Sequence, residues 1–66
     1  MPSRPLKTPG QILEAALGKE TAARDFYARL ADRCHVDFVR DLLLRLANEE
    51  EKHAALIRKM QARLAK

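Results

Sequence analysis

Apolar residues recur along most of this chain with the spacing of a helix face, and at one depth in each half the pattern is interrupted by groups that ionise. In the second half, Val36, Leu43, Ile57 and Leu64 share a heptad position with Glu50, while Val39, Leu46 and Met60 share the companion position with His53. Seven of those nine positions are aliphatic or methionine. In the first half, Leu13, Glu20, Tyr27 and Cys34 recur every seven residues, with Ala16, Ala23 and Leu30 three further on and Leu17 and Ala31 beside them. That seam is apolar except for Glu20 and the phenol of Tyr27.

Local signals set the ends of two helices. Thr8-Pro9-Gly10-Gln11 offers a capping threonine, a proline suited to the first helical position and a glutamine that completes a Thr-x-x-Gln capping box. The first helix is therefore expected over about residues 9–34. Asp32-Arg33-Cys34-His35-Val36-Asp37 breaks the register, and Asp37 is the expected cap of a second helix over about residues 37–64. Arg58, Lys59, Arg63 and Lys66 suit its C-terminal dipole. Gly18, in the middle of the first helix, fits either close helix packing or a tolerated glycine. Residues 1–7, with Pro2, Pro5, Arg4 and Lys7, read as a flexible basic arm.

A connection this short predicts an all-α fold, an antiparallel two-helix hairpin. Each helix has one apolar face, so a lone hairpin leaves its core half wet; four helices from two chains close it into a four-helix bundle. Phe26, Phe38, Leu42, Leu44 and Leu56 lie off the seam and point to a further subunit contact.

Composition narrows the class. Sixty-six residues make one small domain, and a single cysteine excludes an intramolecular disulfide or a cysteine-based zinc knuckle within one chain. No apolar run is long enough to span a membrane, and no export signal is visible, so a cytoplasmic, soluble protein without membrane partners is expected. The net charge of +4 is modest and comes with one Tyr and two Phe, which argues against nucleic acid as the partner; the arm at residues 1–7 is the feature such a ligand would use.

The candidate chemistry lies at the interruptions. Glu50 and His53 form Glu-x-x-His, which places a carboxylate and an imidazole one turn apart on one helix face. Glu20 lies about as far from the turn as they do, so a hairpin brings all three to one layer. A two-fold pairing would give four carboxylates and two imidazoles, the donor set of di-iron bundles, and four carboxylates balance two divalent cations. Taken singly, each residue also has an ordinary role. Glu20 can pair with Arg24, His53 can be a core histidine bonded to a carboxylate, and Glu49, Glu50 and Glu51 can form a solvated run. Glu49, Glu51 and Lys52 are expected to point away from the seam, Cys34 to be a small core residue and His35 to face solvent. Tyr27, two turns from Glu20, either bonds a ligand carboxylate or is a core aromatic with its hydroxyl in solvent.

Glu20 and Tyr27 in Glu-x-x-x-x-Asp-Phe-Tyr, then Ala31-Asp32-x-Cys34, then Glu49-Glu50-x-x-His53-Ala54, resemble the ferritin-like superfamily, closest to encapsulated ferritins and other half-ferritins and more distantly rubrerythrin. The likeness covers about residues 9–62. It implies a ferritin-like bundle with a di-iron centre between two hairpins, Glu20, Glu50 and His53 as ligands and Tyr27 close by. It also implies a ferroxidase that oxidises Fe(II) with dioxygen for iron storage or detoxification, with manganese or zinc as substitute metals. Partners would be a homodimer or a ring of dimers, with an encapsulin-type protein shell as the compartment. Encapsulated ferritins usually carry extra carboxylates beside the first ligand glutamate, where this chain has Lys19, Thr21 and Ala22. Alternatives are a non-catalytic helical oligomerisation module with a buried polar network, and a rubrerythrin-like peroxide-handling protein; the chain has no Cys-x-x-Cys for the latter's electron-transfer domain.

Overall fold

The computed structural model describes residues 8–66, and the arm expected at residues 1–7 lies outside them. Two helices, α1 (Pro9–Arg33) and α2 (Asp37–Leu64), are joined by residues 34–36 into a hairpin, with no strand among the described residues. The N-terminal signal acts as its sequence predicts. The Thr8 hydroxyl accepts from the Gln11 backbone N–H at 3.0 Å, and the Gln11 side chain accepts from the Thr8 backbone N–H at 3.2 Å.

The start of α2 differs from expectation. Val36, not Asp37, holds the N-cap position and supplies no side-chain cap. Asp37 is the first helical residue, where its charge faces the helix dipole and pairs with Arg40 at 3.1 Å. Gly18 marks no close approach, since a methyl built on it would meet nothing within 4 Å.

Helix packing is centred on small residues. The buried side chains of the described residues are Ala31, Ala47 and Ala54. On α2 the face toward α1 therefore runs along Ala47 and Ala54, flanked by half-buried Leu43, Glu50 and Ile57. His53 and Met60, expected on the seam, lie instead on its exposed flank. Two helices approach closely only where side chains are small, so the alanines take the contact and the larger companion residues are turned outward.

That outward turn gives the hairpin two unlike sides. At 100° per residue, Leu42, His53, Met60 and Leu64 fall within about 40° of one another on α2, as do Ile12, Phe26 and Leu30 on α1. All six of those apolar side chains are exposed. The two rows share a side, because Ile12 and Leu13 line one groove of about 480 Å³ together with Met60 and Leu64. The other side is charged and carries Arg24, Glu51 and Arg58 in one ion-pair network. Only three alanines are buried among the described residues, so the hairpin encloses little apolar volume of its own. No helix of the described residues is long and apolar enough to cross a membrane.

Candidate metal centre

The middle of α1 and the middle of α2 meet at three ionisable groups. Glu20 is supplied by α1, and Glu50 and His53 by consecutive turns of α2. His53 Nδ1–H donates to Glu20 Oε2 at 3.1 Å across the helix pair and to Glu50 Oε1 at 3.1 Å along α2. One donor atom from each of the three residues lies within 4.8 Å of the other two. The carboxylates are half buried, with side chains 28% and 22% exposed for Glu20 and Glu50, while the imidazole is 54% exposed on the apolar side of the hairpin.

The charges of this cluster are coupled. Hydrogen bonds to Glu20 and then Glu50 raise the His53 pKa above its ordinary value, against a smaller opposing effect of desolvation. Glu20 is lowered, chiefly by its hydrogen bond with Glu50 and also by His53. Glu50 is raised, first by that same contact with Glu20 and then by desolvation. Two carboxylates this close do not both carry full charge without a cation or a proton between them; of the two, Glu50 is the one held more readily protonated, with His53 Nδ1 facing both.

The donor set suits a first-row divalent metal. Two carboxylate oxygens and one imidazole nitrogen match iron, manganese or zinc, and three donors leave coordination positions open. A Glu on one helix with Glu-x-x-His on its neighbour is half the set found in di-iron helical bundles.

The remaining candidates are placed elsewhere. Tyr27 is half buried, its ring edge-on to Phe26 at 5.6 Å between centroids, and its hydroxyl makes no hydrogen bond among the described residues. Cys34 sits in the link, where its thiol donates to the Val36 carbonyl at 3.5 Å, and His35 is exposed. Glu49 and Lys52 pair with each other at 3.4 Å on the solvated surface, as expected. Glu51 does not join them there. It faces α1, accepting from Arg24 at 2.6 Å and from Arg58 at 3.1 Å, and both contacts lower its pKa. Arg24 is thereby committed to Glu51 and Asp25 and not to Glu20. The sequence signal for this network is the two-turn spacing of Glu51 and Arg58, which puts them on one stripe of α2.

No curated protein and no solved structure matches the chain. The rubrerythrin family matches residues 11–66, which takes in both helices and all three residues of the cluster. With that match over nearly the whole hairpin, and a carboxylate–imidazole cluster where a di-iron family of the ferritin-like superfamily needs one, the chain belongs to the rubrerythrin family.

Proposed function

We propose that two copies of this hairpin pair through their apolar sides and that the paired Glu20, Glu50 and His53 clusters bind two Fe(II) ions as substrate and oxidise them with dioxygen. The observation that carries the reading is the position of the cluster: its imidazole opens onto the exposed apolar side between Leu42 and Met60. One hairpin offers two carboxylates and one imidazole, too few to hold two irons close together. A second copy doubles the set and covers the apolar rows, which the molecule alone leaves in water.

Each residue then has a defined task. Glu20 and Glu50 supply negative charge that neutralises two divalent ions in a water-poor interior. His53 coordinates only as a neutral imidazole, and coordination through Nδ1, the nitrogen that faces both carboxylates, would displace any proton held there. Leu46 and Met60 exclude water on either side of the layer. Tyr27 stands two turns from Glu20, where pairing would bring its phenol toward the layer. In the overall reaction two Fe(II) give up two electrons to dioxygen, which takes up two protons and leaves as hydrogen peroxide.

Anaerobic Fe(II) titration followed by oxygen admission tests this. Two irons bound per pair of chains and oxygen consumption above the uncatalysed rate support it; absence of bound iron returns the cluster to a polar network that fixes helix register. The alternative that the likeness to rubrerythrin implies is hydrogen peroxide as the oxidant. Adding peroxide in place of dioxygen to the iron-loaded protein separates the two.

A further inference from the structure

We infer that Arg24 is a positioning group for the metal layer: through Glu51 it fixes the axial register that brings Glu50 and His53 opposite Glu20. The inference rests on the metal-binding reading above. Glu20 and Arg24 are one turn apart on α1, and Glu50, Glu51 and His53 lie within one turn on α2. Two hydrogen bonds cross between the helices here, Glu20 with His53 and Arg24 with Glu51. The first disappears when a metal takes the place of the Nδ1 proton. The second does not depend on the metal.

The packing gives register little other support at this level. The side chains buried here, Ala47 and Ala54, are small, and among the described residues no hydrogen bond crosses between the helices at this level apart from those two. A slip of one residue moves α2 by about 1.5 Å and turns it by about 100°, which would carry Glu50 away from Glu20. Glu51 prevents that slip because both of its oxygens are occupied. Oε1 accepts from Arg24 on α1, and Oε2 accepts from Arg58 two turns further along α2, which holds the carboxylate in the direction of α1. Consecutive residues on a helix diverge by about 100°, so Glu51 anchors the charged side while Glu50 is presented to the layer.

The test is a double-mutant cycle with Co(II) as the probe. Arg24→Gln and Glu51→Gln should each weaken Co(II) binding about tenfold, alter its visible spectrum and leave helical content unchanged. The double variant should lose no more than either single one, because both remove the same contact. Glu51→Asp, a milder change, should give a partial loss. In the metal-free protein, Glu51→Gln should shift or broaden the backbone amide resonance of Glu20 and Arg24→Gln that of His53, each on the opposite helix, and Lys52→Ala should leave that of Glu20 in place. Unchanged Co(II) affinity and spectrum in the single variants, or losses that add in the double, overturn the inference. A wild-type protein that takes up no metal removes the metal reading instead, and the metal-free resonances then decide whether Arg24 sets the register.

Discussion

His53 and Glu20, 33 residues apart in the chain, meet with Nδ1 3.1 Å from Oε2, so a proton carried on Nδ1 and a divalent ion bound by these two atoms would occupy the same space. Proton and metal therefore compete for one position, and the first two predictions follow from that competition.

Glu50→Ala and His53→Ala should each abolish high-affinity metal binding while keeping the helical circular dichroism, because neither residue belongs to the alanine contact that packs the helices. Metal analysis after dialysis decides the point. Full metal content in either variant would remove that residue from the ligand set.

Stability should depend on pH with opposite signs in the two states. Without metal, the raised His53 pKa gives a contribution that is complete below its unfolded value of 6.5 and is lost as pH rises through the folded value. The lowered Glu20 pKa gives a contribution present above 4.5 and lost as pH falls through its folded value. Glu50, raised, behaves as His53 does, from 4.5 upward. The metal-free protein should thus lose stability as pH climbs from about 6.5. Stabilisation by Zn(II) should grow over the same interval, because the imidazole and both carboxylates have to be deprotonated to ligate. Thermal melts with and without Zn(II), from about pH 5 to about pH 8, should show the two slopes; parallel slopes would place the metal elsewhere.

Assembly should respond to a charge on the apolar side. Leu46 is half buried one turn before Glu50, and Leu46→Lys would force an ammonium into the interface proposed between copies. Sedimentation should move from twice the chain mass or more toward a single chain. A Leu46→Lys protein of unchanged mass would mean that the copies meet through another surface.

Activity should follow assembly. Wild-type protein should bind two irons per pair of chains and oxidise them, Leu46→Lys should do neither, and Lys52→Ala, whose partner is Glu49 on the solvated surface, should match wild type. Oxidation at the wild-type rate by a monomeric Leu46→Lys protein would place the whole reaction within one hairpin.

The parts of this structure that the sequence made legible are those set by local chemistry or by helix period. The Thr8 to Gln11 capping box formed as its residues dictate, and Glu20, Glu50 and His53 met because equal distance from a short turn leaves little choice. Two local features escaped. Asp37 reads as a cap, yet Val36 holds that position, since the extended link already sets the backbone entering α2. Glu51 reads as part of a solvated acidic run, yet it faces α1. A heptad pattern marks which residues share a stripe but not which neighbour the stripe meets, and here buried Ala47 and Ala54 rotate α2 so that Glu51 is turned inward and His53 outward.

Ala54 is completely buried and Ala31 nearly so, and neither has any chemistry to contribute. A side chain one or two carbons larger at either position would wedge the helices apart and stretch the reach from Glu20 to His53. A ligand can be exchanged for another donor of similar reach, whereas a side chain added at a position already fully buried has no free space to enter. Tolerance to mutation should therefore be low at residues that never touch an ion: the width of the gap between Glu20 and His53 is recorded in the alanines.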